Sequence, residues 1–328
     1  MESAPKPTMK AVIQREYGPP DVLRRADLDL PAVVGPDEVR IRVYAAGVDP
    51  GVWFFLTGRP WLVRAAAGIR APRHTVPGRA LAGRVEAVGA QVTHFRAGED
   101  VYAEGLGAFA EYAVVAERML ARKPANLTFE QAAAIPISAT TALQGLRDTG
   151  RLRAGQHVLV NGATGGVGTF AVQIAKALGA EVTAVCAPNA AELVRSLGAD
   201  HVVDYTREDF TAGTRRYDVV FDLVGSHSLA QCRRVLTPDG RLVLSAGPPA
   251  PWLRRRLAAL VLSPLRSRTM AALDARPNAA DLDALRDLVE AGQVTPVIDR
   301  VFPLEDVVDA LRHYGSGHAR GKTVLSIR

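Results

Sequence analysis

The chain has 328 residues, 48% of them hydrophobic and 23% charged, with a formal net charge of +6 at pH 7; that length supports a substantial core and points to two domains. Its two cysteines, Cys186 and Cys232, exclude a disulfide framework and a thiolate zinc site, which takes about four ligands. Met1 to Lys10 holds no apolar signal core, no run approaches the roughly 20 apolar residues of a membrane span, and the positive charge forms no basic arm, so we expect a cytoplasmic protein with no membrane insertion and no nucleic-acid partner.

The first third predicts strands at Met9 to Gln14, Glu38 to Ala45, Gly83 to Val88 and Phe109 to Val115, short β-branched or alternating runs punctuated by glycine and proline. Gly78, Gly83, Gly89, Gly98, Gly105 and Gly107 supply the turns of a small, curled antiparallel barrel. From Thr128 the pattern changes. Thr128-Phe-Glu-Gln131 reads as a capping box that opens a helix of small residues, broken near Pro136 and resumed through Thr141 to Thr149. Strands follow at His157 to Val160, Glu181 to Val185, Val202 to Val203, Asp218 to Val224 and Arg241 to Ser245. Helices alternate with them at Val167 to Leu178, Ala190 to Leu197 and Ser228 to Leu236. Such alternation means βαβ units and a parallel sheet with helices on both faces.

Pro248 to Met270 interrupts the rhythm. Arg254-Arg-Arg256, Leu257 to Leu262, Arg266 and Arg268 form a basic amphipathic segment, open to reading as a surface helix, a lid over a cleft, or a weak membrane or partner surface. The tail predicts a helix at Ala280 to Ala291, a strand-like run at Val294 to Phe302, a helix at Leu304 to Tyr314 and a last strand at Lys322 to Ile327.

Between the first strand and helix of the alternating region lies Val158-Leu-Val-Asn-Gly-Ala-Thr-Gly-Gly-Val-Gly168. An apolar strand enters a turn too tight for side chains and a helix leaves it, which presents backbone N–H groups and a positive helix end to an anion. The spacing is that of a dinucleotide fingerprint, with Ala163 at the first glycine's place, Gly165 for close approach to a pyrophosphate and Gly168 for helix–strand packing. Thr164, Gly166 and Val167 offer N–H groups, and Thr164 a hydroxyl. An NAD-selecting acid is due roughly 20 residues further on. Cys186-Ala-Pro-Asn-Ala-Ala191 has none, which favours NADPH while leaving NADH possible. Arg195 and Tyr205 are the nearest candidates to meet a 2′-phosphate, although Arg195 also reads as a solvated helix charge.

Further runs stand in order along the chain: Met9-Lys-Ala-Val12, Tyr17-Gly-Pro-Pro-Asp-Val-Leu23, Gly35-Pro-Asp-Glu-Val-Arg-Ile-Arg-Val43 and Ala45-Ala-Gly-Val-Asp-Pro50. They continue with Pro77-Gly-Arg-Ala-Leu-Ala-Gly-Arg-Val-Glu-Ala-Val-Gly89, Gly107-Ala-Phe-Ala-Glu-Tyr112, Leu143-Gln-Gly-Leu146, Gly198-Ala-Asp-His-Val-Val-Asp-Tyr205 and Gly321-Lys-Thr-Val-Leu325. Together they resemble the zinc-independent quinone oxidoreductase branch of the medium-chain dehydrogenase/reductase superfamily. The resemblance implies an α/β fold: a GroES-like β-barrel catalytic domain over 1–127, a Rossmann doubly wound parallel sheet over 128–272, and a return to the catalytic domain over 273–328. It implies Thr141 near the nicotinamide, Tyr205 at the adenosine ribose phosphate, and Val224 with Ser245-Ala-Gly247 along the cofactor cleft. Lys322 is a weaker candidate on the substrate side, and a homodimer through Rossmann sheet edges is expected.

No metal is expected. The zinc-dependent branch's cysteine and histidine–glutamate places hold Asp49 and Arg79-Ala80, and His74 and His94 have no thiolate partner. The resemblance breaks where the branch carries asparagine at Asp49, an acid at Ala80, and a serine and a basic residue around Ala187 and Asn189. Asp49 reads either as a general acid or base in a dry cleft, its pKa raised by burial, or as an Asx-type turn residue before Pro50. The aromatic loop Trp53-Phe-Phe55, with Trp61, reads as a wall for a flat acceptor or as barrel packing. The activity implied is NADPH-dependent hydride transfer to a quinone or an enone, a small-molecule substrate. Two rivals stay open: a non-redox biosynthetic enzyme working through Asp49 by proton transfer, cyclisation or dehydration, and a binding protein that keeps the nucleotide site without turnover.

Overall fold

The computed structural model describes residues 7–33, 35–245, 269–317 and 319–327. Gly247 and the basic segment 251–268 lie outside them. The chain forms two compact units, one from the described residues of Met1–Ile137, Pro277–Glu290 and Pro296–Arg328, the other from those of Ser138–Arg276 and Ala291–Thr295.

In the first unit β1 (Thr8–Ile13) and β2 (Arg24–Asp29) form an antiparallel ribbon. A seven-stranded sheet is built on β3 (Glu38–Val48), β4 (Ala80–Val88), β5 (Asp100–Glu104), β6 (Tyr112–Ala116) and β7 (Leu120–Arg122). Two strands from the far end of the chain, β14 (Ile298–Pro303) and β15 (Lys322–Ser326), complete it in the order β14-β15-β3-β4-β5-β7, with β6 also on β3. Ile41, Val43, Leu81, Val85, Val101, Phe109, Leu120 and Leu325 fill the interior. Burying each such side chain contributes about 1.5–3 kcal/mol.

β3 alternates buried and open residues as far as Tyr44 and is then buried on both faces, because Ala45, Ala46 and Gly47 are small enough to admit a helix. That helix, α3 (Phe129–Ala133), comes so close that a Cβ on Gly47 would lie 2.6 Å from the Ala133 carbonyl oxygen. Its capping box forms as the sequence predicts: the Gln131 N–H donates to Thr128 Oγ1 at 3.3 Å, and the Thr128 N–H donates to Gln131 Oε1 at 3.0 Å. Residues 128–137 thus pack with the barrel, where the sequence reading put the boundary at 127. The run expected as an aromatic loop is instead helical: α1 (Pro50–Thr57) carries Trp53 and Phe55, and α2 (Leu62–Ala67) follows Trp61.

The second unit is a parallel sheet of β8 (His157–Asn161), β9 (Glu181–Cys186), β10 (His201–Asp204), β11 (Tyr217–Asp222), β12 (Leu236–Leu244) and β13 (Thr269–Ala272). Their order, β10-β9-β8-β11-β12-β13, reverses between β8 and β11, the doubly wound topology whose ligand crevice lies at that reversal. Helices α4 (Ser138–Gln144), α5 (Gly166–Ala177), α6 (Ala191–Ser196) and α7 (Leu229–Arg234) belong to this unit, and α8 (Ala279–Glu290) and α9 (Val307–Gly315) to the first.

Candidate active site

β8 is apolar and buried through Val158, Leu159 and Val160, and it delivers the chain to the glycine turn at the topological reversal. Gly162 takes φ +90°, a conformation that penalises a side chain. The N–H groups of Gly162 and Ala163 donate to the Val185 carbonyl at 3.3 and 3.1 Å, tying the turn to β9. Ala163 is fully buried, so this residue of the expected cofactor site holds the turn from beneath. Gly168 is fixed by packing, since a Cβ there would meet the Gly162 oxygen at 2.1 Å.

Gly165 differs from both. Its backbone is ordinary, φ −74° and ψ 172°, and a Cβ would meet nothing nearer than the Gly162 oxygen at 3.6 Å. Neither conformation nor protein packing asks for glycine here, and the open space beside the backbone leaves room for a ligand. Thr164, Gly166 and Val167 are half-buried around it, at the start of α5, whose first N–H groups have no intrahelical acceptor. A dinucleotide pyrophosphate therefore fits this turn.

The next strand end is pinned to the turn. Asp222, buried at the end of β11, accepts from Asn161 Nδ2 at 2.8 Å, from the Gly225 N–H at 2.9 Å and from the Val224 N–H at 3.3 Å. Asn161 Nδ2 also donates to Ser226 Oγ at 3.3 Å. Val224, exposed, thus stands beside Gly162, and the Ser245 N–H donates to the Asp222 carbonyl at 3.1 Å. Thr141 is half-buried on α4, which packs against α5. Sequence reasoning missed Asn161, Asp222 and Ser226. The signal was a polar residue following a run of three apolar ones at the end of each of two strands, Val158 to Val160 and Val219 to Phe221.

At the ends of β9 and β10 the arrangement is less simple than the spacing rule supposes. Cys186 is buried, and burial pushes its thiol up, helped by the Asp204 carboxylate and opposed by Arg195. Asp204 ends β10 with Oδ1 accepting from the Thr206 N–H and hydroxyl at 2.9 and 2.7 Å, so a carboxylate that the spacing rule overlooks stands one strand away. Arg195 Nη1 lies 2.7 Å from Glu192 Oε1, and Tyr205 is 62% exposed.

In the first unit the register Thr323↔Val48 places the start of β15 beside Asp49. Asp49 is 0% exposed and Lys322 2%. Lys322 Nζ donates to Asp49 Oδ1 and, at 3.0 Å, to the Val48 carbonyl. Asp49 occupies the N-cap position of α1, but its side chain makes no cap bond, so the Asx-turn reading does not describe it. Burial raises the Tyr314 hydroxyl pKa on α9, and the Asp49 carboxylate raises it further. Burial likewise raises the Glu104 carboxyl pKa, with Arg79, 2.7 Å away, pulling it down and Asp49 pushing it up. Trp53, half-buried, lies so near α9 that a Cβ on Gly315 would come within 2.5 Å of its ring. His74 and His94 are exposed, and among the described residues no three His, Cys, Asp or Glu side chains are grouped to hold a metal ion.

Residues 35–125 match the alcohol dehydrogenase GroES-like domain family, and residues 197–325 a family described as zinc-binding dehydrogenase. The chain is 35% identical to the NADPH-dependent alkenal/one oxidoreductase, chloroplastic, of Arabidopsis thaliana, over 98% of this chain and 80% of that protein. It is 33% identical to the NAD(P)H oxidoreductase RTN4IP1, mitochondrial, of Danio rerio, over 99% of this chain and 93% of that protein. The solved quinone oxidoreductase from Coxiella burnetii superposes with a TM-score of 0.87 at 28% identity, over 98% of this chain and all of that one. The chain belongs to the quinone oxidoreductase branch of the medium-chain dehydrogenase/reductase superfamily, and is a nicotinamide-dependent oxidoreductase.

Proposed function

We propose that the chain is an NADPH-dependent, metal-independent reductase of quinones or α,β-unsaturated carbonyl compounds. The observation that carries the nucleotide half of this reading is Gly165, a glycine that neither its backbone conformation nor its packing requires. Thr164, Gly166 and Val167, with the N-terminus of α5, would hold the pyrophosphate. Asp222 and Asn161 would fix Val224 and Ser245 along it. When bound, the nicotinamide supplies a hydride; the protein's part is to orient the acceptor and stabilise the charge that develops on its oxygen. An enone or quinone suits a site without a Lewis acid, because conjugation carries that charge to an oxygen one or two hydrogen-bond donors can hold. The printed name of the Arabidopsis relative supports this acceptor class and NADPH.

Metal independence is supported by what occupies the zinc-ligand places: Asp49 is paired with Lys322, and Arg79 with Glu104. The same pairing leaves the proton-transfer rival without a supporting observation, since the Asp49 carboxylate is committed to an ammonium group. For cofactor choice, the absence of an acid at the end of β9 supports NADPH, with Tyr205 and Arg195 as its phosphate-side residues. We also propose a homodimer through the β13 edge, the last strand of the described sheet, and a cytoplasmic location, to which two unbridged buried cysteines are suited. No helix of the described residues is long and apolar enough to cross a membrane.

The test is spectrophotometric. NADPH oxidation is followed with a panel of quinones, alkenals and enones, with and without a chelator, and compared with NADH. Turnover of at least one class, insensitive to chelation and faster with NADPH, is expected. Tight NADPH binding with no oxidation by any acceptor would overturn the reading.

A further inference from the structure

From Pro50 to Val85 the sequence contains no aspartate or glutamate but six arginines: Arg59, Arg64, Arg70, Arg73, Arg79 and Arg84. Three of these are occupied. Arg64 stacks on Tyr17 with its guanidinium 4.5 Å from the ring centre, Arg79 pairs with Glu104 at 2.7 Å, and Arg84 with Asp100 at 2.7 Å. Arg59, Arg70 and Arg73 are exposed, and none has a carboxylate partner among the described residues. Arg15 and Glu16, which precede Tyr17, are both exposed and sum to zero charge.

The same stretch carries the most exposed large apolar side chains of the first unit. Ile69 is 76% exposed and Trp61 73%, with Leu62 and Phe55 exposed beside them. Trp61 and Leu62 open α2 and Ile69 follows its end, a helix about 9 Å long. Large apolar side chains and unpaired cations therefore alternate along one short segment: Phe55, Arg59, Trp61, Leu62, Ile69, Arg70, Arg73. The segment is held to the unit, not loose, because the Tyr17 hydroxyl donates to the Gly68 carbonyl at 2.5 Å and Arg64 Nε donates to the Gly58 carbonyl at 3.2 Å.

We propose that this face docks on a phospholipid bilayer bearing anionic headgroups. An indole and a branched alkyl group that stand out into water fit the interfacial layer, where aromatic rings sit at headgroup level. Arginines without partners fit the phosphates, and residues 50–85 themselves bring no carboxylate to repel them. A bilayer needs no shape complementarity, which suits a short helix that opens on exposed apolar side chains. An acidic protein would be matched by the arginines but would leave Ile69 and Trp61 uncovered unless it also brought a shaped apolar surface. The proposal does not depend on the reductase reading, and its test needs no turnover.

The purified full chain is sedimented with sucrose-loaded vesicles of phosphatidylcholine, with or without about one third phosphatidylglycerol, at salt concentrations where surface charge is weakly and strongly screened. Binding to the phosphatidylglycerol vesicles at low salt, weakened at high salt, is expected. Each arginine near an anionic surface contributes about fivefold in binding, so the R59S/R70S/R73S variant should bind about a hundredfold more weakly. Ile69→Ser should weaken binding at both salt concentrations. The R254S/R255S/R256S variant, altered in the other basic stretch, should bind as the parent does. Thermal melts and NADPH titration show that each variant is folded. Equal binding with and without phosphatidylglycerol, loss through Arg254 to Arg256 in place of Arg59, Arg70 and Arg73, or capture by polyglutamate but not by vesicles would each overturn the proposal.

Discussion

Asp49 and Lys322 meet in a place where neither charge reaches water, and the energetics of that meeting are lopsided. A buried ion pair contributes little compared with apolar residues of the same size, yet removing one partner leaves the other's charge stranded. Lys322→Met is therefore expected to cost about 3–5 kcal/mol in urea denaturation, and the D49N/K322M double variant less than K322M alone. A loss under about 1 kcal/mol for K322M would mean that the pair is open to solvent. Glu104 has a pH signature with the opposite sign to most carboxylates. Burial is the largest influence on it and raises its folded pKa above the ordinary 4.5, so the folded state holds this proton more tightly than the unfolded state. Its ionisation thus opposes folding above the folded value, and that cost vanishes below 4.5. Glu104→Gln should match or exceed the parent's stability at neutral pH, with the difference closing as pH falls through the interval just above 4.5. A Glu104→Gln variant less stable than the parent at neutral pH, with the deficit shrinking on acidification, would show that the Arg79 pair outweighs the burial.

At the scale of single elements, the glycine turn separates two kinds of glycine that a fingerprint treats alike. Gly168→Ala drives a Cβ to 2.1 Å from backbone oxygen, so α5 must lift from β8, and a stability loss of at least about 2 kcal/mol is expected. Gly165→Ala has room and an ordinary backbone; its melting temperature should stay close to the parent's while NADPH affinity falls at least tenfold, roughly the effect of one lost close contact. Calorimetry and fluorescence titration read the two effects, and a Gly165→Ala variant with unchanged affinity would remove the pyrophosphate from this turn. The turn and its flanking βαβ units were legible in the sequence because each strand is a short apolar run and each helix returns after a fixed interval. The capping box at Thr128 was legible for a similar reason, being a purely local exchange of hydrogen bonds. By contrast β2, Arg-Arg-Ala-Asp-Leu-Asp, is charged and largely exposed, so no buried face marks it as a strand. α1 was missed although its punctuation was present: Asp49 at the N-cap, Pro50 at the first helical position and Gly58 with φ +60° ending it. Five consecutive apolar residues, Val52 to Leu56, hid the helix period between those signals.

Over the whole molecule, the candidate site was only half readable, because sequence distance conceals what the topology joins. The glycine turn is built within a dozen residues. The partner of Asp49 is instead set by which strand fills the gap beside β3, a long-range pairing that no local pattern encodes. β15 is that strand, with β14 on one side and β3 on the other. A chain stopped before Lys322 should therefore lose the cooperative unfolding transition of the first unit, while the second, complete by Thr295, keeps its own and still binds NADPH. Calorimetry of the shortened chain, with and without NADPH, checks this; a single transition lost as a whole would show the units to be inseparable.

The sequence separation of 273 from Asp49 to Lys322 also sets a clock. At a synthesis rate of about 5–20 residues per second, the ribosome needs about 14–55 s after making Asp49 to supply its counter-ion. For that time β3 has no β15 to pair with and the Asp49 carboxylate stays hydrated. The entire nucleotide unit is translated meanwhile, so it has the chance to fold before the barrel can close, and the buried ion pair is among the last contacts the nascent chain can make.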